Sequence, residues 1–318
     1  MPFNVVYTDH GFADVETERA LIASAGGHLT VAQCKTPSAV IEAARNADAL
    51  LVQWAPVPAE VINQLQQCKV IVRVGIGTDN VDLDAARDRG IPVCNVPDYC
   101  INEVADHTLA MALSLARQLS AIDRRVRAGT WGIVPDAPMP SFASMTFATV
   151  GFGRIARAVL DRARGFRFKL AAFDPYQDDE AFAEAGVTRL LLDDLFASAD
   201  ILSLHSPLTP ETHHLIDTER LQQMKNTAIV VNTARGGLID TNALAEALQA
   251  GDIAGAGLDV FETEPLPDDH PLRNCPNALL TSHVAWYSDQ SVPTLQRKAA
   301  EEVVRALRGE PLLHRVNP

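Results

Sequence analysis

The sequence predicts an α/β protein made of two doubly wound parallel-sheet units, and three observations predict it. The chain has 318 residues, enough for about two domains at roughly 100–200 residues each. Short β-branched apolar runs alternate with amphipathic stretches almost from end to end, the pattern of strands covered on both faces by helices. A glycine-rich turn at 151–156 opens a second βα series near the middle of the chain, as the start of a second such unit would.

In the first series, strands are expected at 5–7, 29–32, 49–52, 70–74 and 93–96. Helices are expected near 14–25, from 37, near 59–65 and in a short stretch after 81. A longer helix reads over 101–128, after Pro97 and before Gly129, a residue suited to the C′ position. At about 1.5 Å per residue it spans roughly 40 Å, long enough to bridge two domains or form a subunit interface. Residues 129–140 are rich in proline and glycine and read as a loop. The second series places strands at 146–150, 169–173, 201–204, 228–232, 255–259 and 279–281, and a last helix at 289–307. There is no short internal repeat and no low-complexity tract.

Composition narrows the function. Hydrophobic residues at 47% and charged residues at 21% are those of a globular protein. Lys and Arg number 27 against 40 Asp and Glu, a net charge of −13. Such a surface repels phosphate backbones, so nucleic acid is not expected as a partner, although a local basic pocket for a small anion is compatible with it. Five cysteines form an odd set without a C-x-x-C pair, which predicts neither a disulfide framework nor a zinc cluster but reduced cytoplasmic thiols. The first residues turn acidic before any apolar stretch develops, so no secretory signal is expected. No apolar run approaches the 18 or so residues of a membrane span. The expectation is a soluble, cytoplasmic protein with no membrane partner.

The turn Gly151-Phe152-Gly153-Arg154-Ile155-Ala156 follows a strand and opens a helix, the context a dinucleotide fingerprint requires. Gly151 permits the tight turn and Gly153 lets a pyrophosphate approach the backbone. The Arg154 and Ile155 N–H groups face the phosphates at the helix start, with the helix dipole behind them. Asp174 ends the next strand, 21 residues after Gly153, the spacing for a carboxylate accepting from the adenosine ribose. An acid there repels a 2′-phosphate, so the expected cofactor is NAD rather than NADP.

Three later segments carry polar groups directly after apolar runs, at the sheet edge where doubly wound folds bind ligands. Their candidates are Arg235, Glu264 and His283. Hydride transfer to a keto acid needs a cation to polarise the carbonyl and hold the carboxylate, and an acid to protonate the new oxyanion. It also gains from a carboxylate beside a His, which favours imidazolium. Each residue has a plain structural alternative: Arg235 as a strand-end cap, His283 as a hydrogen-bonded structural histidine, Glu264 as a turn residue beside Pro265. Spacing alone does not bring them together. No metal site is expected. His213 and His214 are adjacent rather than at i, i+4, which makes them poor joint ligands. His107, inside a helical pattern, reads as a structural hydrogen-bonding group. With no G-x-S-x-G and no P-loop, acyl and phosphoryl transfer have no support.

Ordered stretches run along the chain: VRVGIGTDNVD from Val72, NVPDYCINEVADHTLAMAL from Asn95 and VGFGRIARAV from Val150. They continue with ILSLHSPLTPETHHLID from Ile201, VVNTARGGLID from Val230, GLDVFETEPLP from Gly257 and LLTSHVAWYSDQS from Leu279. In them the chain, from about residue 50 to 307, resembles the D-isomer-specific 2-hydroxyacid dehydrogenases, a family that includes phosphoglycerate dehydrogenase, glyoxylate/hydroxypyruvate reductase and the C-terminal-binding proteins. The resemblance implies a Rossmann NAD-binding domain over 99–285 and a flavodoxin-like, discontinuous substrate domain over 1–98 plus 286–318. It also implies an active site in a cleft that closes, and a homodimer. It implies that Arg235, Glu264 and His283 are catalytic. Cofactor contacts are implied for Thr108, His205, Pro207, Thr212, Thr233, Ala234 and Asp259, the last to the nicotinamide carboxamide. Substrate carboxylate binding is implied for the loop 74–78 with Gly75 and Ile76. The first and last motifs look most like the C-terminal-binding-protein branch, where an Arg at the position of Arg73 reaches the carboxylate and a Trp at that of Trp286 packs on the substrate side chain. The implied activity is hydride transfer between NAD(H) and a small 2-hydroxy or 2-keto acid. The rival expectation is an NAD(H)-dependent dimeric binding protein with weak turnover. The chain departs from the family at Ala156, at Thr149 within a strand expected to be apolar, and in the small-residue linker 138–145.

Overall fold

A computed structural model describes residues 2–132 and 139–318. These form two compact units, one of residues 2–99 with 287–318 and one of 100–286.

The first unit runs β1 (Phe3–Tyr7), α1 (Glu16–Ser24), β2 (Gly27–Val31), α2 (Pro37–Ala44), β3 (Ala49–Val52), α3 (Ala59–Ile62), β4 (Val70–Arg73), α4 (Leu83–Asp88) and β5 (Val93–Cys94). Its sheet is parallel with order β2-β1-β3-β4-β5, the flavodoxin-like order. All four residues of β3 are buried, because side chains of a central strand leave both faces into helix-covered core. Val40, Val61 and Ile62 supply that cover against Leu50, Val52, Ile71 and Val93. Helix starts follow capping chemistry: Thr36 Oγ1 accepts from Ala39 N before Pro37, and Asp82 Oδ1 accepts from Ala85 N.

The second unit runs α5 (Ile101–Ala116), α6 (Leu119–Arg127), β6 (Thr146–Val150), α7 (Arg154–Gly165), β7 (Lys169–Phe173), α8 (Asp179–Glu184), β8 (Thr188–Arg189), α9 (Leu192–Ser198), β9 (Ile201–Leu204), α10 (Thr218–Gln223), β10 (Ile229–Asn232), α11 (Thr241–Ala250), β11 (Gly255–Leu258) and β12 (Ala278–Leu280). The sheet order is β12-β11-β10-β9-β6-β7-β8, parallel throughout. Read outward from β6, this is the Rossmann order with a seventh strand added. The chain then returns to the first unit with α12 (Ser291–Arg308), which packs on α1, β3 and β4.

One expected element is corrected. The helix read over 101–128 is two helices, broken at Gln118, whose φ of +52° is left-handed. Glutamine is a good helix former, so propensity conceals the break. Burial reveals it: α5 buries seven residues between Val104 and Ala116, and α6 buries none. The two helices meet different surroundings, and the left-handed residue redirects the chain between them. Strand β8 was not anticipated, since two exposed residues at a sheet edge leave no apolar run. Of the expected loop 129–140, residues 133–138 lie outside the described residues; so does Pro138 of the linker, which continues into a 3-10 turn at Phe142–Ser144.

Candidate active site

In a parallel sheet every strand delivers its following loop to the same edge. The order β12-β11-β10-β9-β6 therefore sets side by side the loops that carry His283, Glu264, Arg235, His205 and the glycine turn.

The glycine turn comes first. Gly151 has a φ of +95°, and a Cβ there would sit 2.8 Å from the His205 carbonyl oxygen, so only glycine fits this turn and this close approach. Thr149, buried in β6, donates from Oγ1 to the Gly151 carbonyl at 2.9 Å; its hydroxyl is satisfied by the turn itself. Gly153 caps α7, and a Cβ built on it meets nothing within 4 Å. The N-terminus of α7, with Arg154 and Ile155 as its first residues, thus opens onto space, which is what a pyrophosphate requires. Ala156 is fully buried, so the variant alanine fits beneath α7. Asp174 Oδ2 accepts from Phe152 N at 2.8 Å and Oδ1 from Tyr176 N at 2.9 Å. The acid expected at the adenosine ribose is thereby fixed to the glycine turn.

The other implied cofactor residues surround the same edge. Thr108 and Thr233 share a hydroxyl–hydroxyl bond of 2.8 Å. His205 bonds Ser203 Oγ through Nε2 at 2.9 Å, and burial pushes its pKa down to about 4, so the ring is neutral at pH 7. Thr212 Oγ1 donates to the Pro207 carbonyl at 2.7 Å, closing the loop after β9. Ala234 N donates to Asn232 Oδ1 at 3.0 Å, while Asn232 Nδ2 donates to the Arg235 carbonyl at 2.8 Å. These residues fit a dinucleotide: an open helix N-terminus, a fixed acid one strand away and hydroxyls along the edge.

The expected catalytic residues meet. His283 Nδ1 and Glu264 Oε2 are 2.7 Å apart. Glu264 Oε1 accepts from Phe261 N at 3.0 Å. Burial pushes the Glu264 carboxyl up, but the His283 hydrogen bond and charge, the Phe261 N–H and the Arg235 charge together hold it below its ordinary range. Glu264 is therefore ionised at neutral pH, and Arg235 lies within electrostatic reach of it. The approach of these loops depends on Gly236: a Cβ there would lie 1.9 Å from the Phe261 carbonyl carbon.

His283 has a φ of +56°, a left-handed conformation that costs an L-residue roughly 1–2 kcal/mol and persists where neighbours over-determine it. They do so here. His283 N donates to the Asp259 carbonyl at 2.7 Å. The buried Asp259 carboxylate accepts from Thr281 Oγ1 at 2.5 Å, Val284 N at 2.9 Å and Ala285 N at 2.9 Å. Trp286 Nε1 donates to the His283 carbonyl at 2.8 Å. His107 Nε2 bonds Thr281 Oγ1 at 3.0 Å. Sequence reasoning missed Asn232, Gly236 and Thr281 as holders of this site. Only the small residues flanking Arg235 hinted at a tight turn.

In the first unit, Arg73 ends β4 and its guanidinium covers Gly75: a Cβ on Gly75 would meet Arg73 Nη1 at 1.4 Å. The Gly75 carbonyl accepts from Val96 N at 2.9 Å and the Ile76 carbonyl from Asn95 Nδ2 at 2.6 Å. The three implied carboxylate binders of this unit thus lie together at the end of β4 and the pinned loop that follows it.

Comparison with known proteins decides the family. A profile of the D-isomer specific 2-hydroxyacid dehydrogenase NAD-binding domain matches residues 109–285. The glyoxylate reductase of Korarchaeum cryptofilum is 38% identical over 275 residues, covering 85% of this chain and 83% of that protein. The chain belongs to the D-isomer-specific 2-hydroxyacid dehydrogenases. This dehydrogenase is also 42% identical over 272 residues to the D-3-phosphoglycerate dehydrogenase of Mycobacterium tuberculosis, but spans only 51% of it. Among solved structures it is similar to the D-lactate dehydrogenase of Aquifex aeolicus, complexed with NAD and lactic acid, with a TM-score of 0.89, 29% identity and 96% coverage of each chain. A glyoxylate reductase from Paecilomyes thermophila gives a TM-score of 0.88 at 28% identity, covering 99% of each chain. The dehydrogenase is thus an NAD-binding oxidoreductase acting on CH–OH groups. These relatives support turnover over the alternative of a nucleotide-dependent binding protein.

Proposed function

We propose that this dehydrogenase interconverts a small 2-keto acid and its 2-hydroxy acid through Arg235, Glu264 and His283. The observation that carries the reading is the 2.7 Å Glu264–His283 pair, with the Arg235 charge beside an ionised Glu264. Glu264 occupies Nδ1 of the imidazole and leaves Nε2 as the nitrogen that gives or takes the proton of the C2 oxygen. Arg235 holds the carbonyl and carboxylate oxygens and polarises the carbonyl. Arg73, Gly75 and Ile76 take the substrate carboxylate, and Trp286 faces the side chain at C2 while bracing the His283 carbonyl. Bound NAD supplies the redox half of the reaction, accepting or giving hydride at C2. Gly151, Gly153, Arg154 and Ile155 hold its pyrophosphate and Asp174 its adenosine ribose. Thr108, His205, Pro207, Thr212, Thr233, Ala234 and Asp259 complete its contacts. The NAD-binding domain is residues 99–285 and the substrate domain is 1–98 with 286–318.

We also propose a cytoplasmic homodimer. All five cysteines are free thiols, as a reducing compartment favours. Among the described residues no helix is long and apolar enough to cross a membrane. Leu119, Ile122 and Val126, exposed along α6, support the dimer.

His283→Gln tests the proton role. Turnover with NADH and glyoxylate, hydroxypyruvate or pyruvate should fall by about two to four orders of magnitude, the range for a general acid, while NADH affinity by fluorescence titration stays within about twofold. Weakened NADH binding with unchanged turnover of bound enzyme would refute it.

A further inference from the structure

The loops after β9 and β11 bring together a set of ligating side chains that the dehydrogenase chemistry does not use. Nitrogens of His213 and His214 and a carboxylate oxygen of Glu262 all lie within 4.8 Å of one another. His214 Nε2 and Glu262 Oε1 are 2.6 Å apart. The two imidazoles stack with centroids 3.9 Å apart and planes inclined by 25°. Consecutive side chains of an extended segment point to opposite sides. Here the left-handed φ of +51° at His214 breaks that alternation, and its N–H is tied to the Gly237 carbonyl at 2.8 Å. The spacing rule that discounts adjacent histidines holds for helices and does not reach this turn.

Glu262 is oriented as well. Its second oxygen, Oε2, accepts from Thr241 N at 3.0 Å and from Thr241 Oγ1 at 2.5 Å, leaving Oε1 toward the histidines. A simple ion pair would use one imidazole. The second, exposed and stacked on the first, adds a third donor.

We propose that His213, His214 and Glu262 bind one zinc ion, with water completing its coordination. Two imidazoles and one carboxylate suit zinc and its borderline neighbours. Each imidazole ligates as the neutral ring, one nitrogen on the ion and the other keeping its proton, so Nε2 of His214 exchanges its contact with Oε1 for the metal. The 2.6 Å pair opens, and the exposed His213 ring turns in, to reach metal–ligand distances of about 2.0–2.2 Å. Thr241 is the outer partner that fixes the carboxylate. The bound ion clamps the loop after β9 to the segment leading into Glu264, stabilising the scaffold of the active site without entering its chemistry.

Calorimetric titration of Zn²⁺ into the chelator-treated full chain tests this. One ion per chain is expected, with a rise in Tm. His213→Ala and His214→Ala should each weaken binding by more than tenfold, and Thr241→Ala by about 10–100-fold. His283→Gln, which removes the Glu264–His283 pair, should bind zinc like the wild type. Metal-free melting curves matching the wild type establish that the variants fold. No stoichiometric binding, binding untouched by His213→Ala, or binding lost in His283→Gln alone would each overturn the proposal, the last by placing the ion on the catalytic pair.

Discussion

Asp174 shows how one side chain serves two scales of structure. Its carboxylate holds the N–H of Phe152 inside the glycine turn and that of Tyr176 beyond β7, and the proposed ribose role would set its charge against a 2′-phosphate. Asp174→Ala should therefore lower the NAD over NADP preference in kcat/KM. It should also cost about 1–3 kcal/mol of stability, because two N–H groups lose their acceptor. Equal cofactor ratios in variant and wild type would withdraw the ribose assignment; a changed ratio without a stability loss would mean the turn holds itself. Asp174 was legible because the fingerprint fixes its spacing, and Arg235, Glu264 and His283 were legible as polar groups directly after apolar strands. Their holders were not. Gly236 matters only because Phe261 lies against it, and Thr281 only because Asp259 and His107 converge on it; such contacts link distant parts of the chain and leave no local pattern.

Apart from β8, strand limits were read to within two residues, because each strand is a short apolar run between polar or glycine neighbours. Strands β3, β6, β7 and β9 keep the expected limits, and the fully buried β10 and β11 are each one residue shorter than read. The break at Gln118 escaped because the residue does not mark it: the break is visible only in the burial, which α5 has and α6 lacks. Helix α1 holds another feature invisible to periodicity. Glu18, fully buried, receives Gln296 Nε2 from α12 at 3.2 Å. Burial is the main force raising its pKa from 4.5 to about 7; its own backbone N–H and Gln296 oppose this, and Asp14 adds to it. Glu18 in turn raises the buried Tyr7 hydroxyl, whose largest perturbation is burial. An acid with a raised folded-state pKa keeps a proton that the unfolded chain has released. Its contribution is fully present below pH 4.5 and is lost as pH rises through about 7. Glu18→Gln carries no such titration. Urea unfolding should show the two proteins equally pH-independent at this site below pH 4.5, and the variant gaining on the order of 1–3 kcal/mol relative to wild type by pH 8. Parallel stability–pH curves across that interval would show that Glu18 ionises freely in the folded state.

At the scale of the whole molecule, α6 poses the remaining question. Leu119, Ile122 and Val126 are 56%, 37% and 47% exposed, and Trp131 just beyond is 89% exposed. The three apolar residues fall at i, i+3 and i+7, an apolar stripe of the kind that normally faces a core, yet α6 buries none of its residues within the chain. A nine-residue helix is marginal on its own propensity, so a stripe this regular calls for cover from outside the chain. In the proposed homodimer a second copy supplies it, and a two-fold axis makes every contact count twice. The net charge of −13 sets copies repelling at long range, so short-range apolar burial must outweigh it. Each large side chain buried contributes about 1.5–3 kcal/mol. Ile122→Glu removes that contribution on both copies and places a carboxylate in the seam, so sedimentation should change from dimer to monomer at micromolar concentration, while the far-ultraviolet spectrum is unchanged. Added salt should tighten the wild-type dimer by screening the acidic surfaces. A wild-type chain that sediments as a monomer, or a variant that stays dimeric, would place the cover of α6 elsewhere.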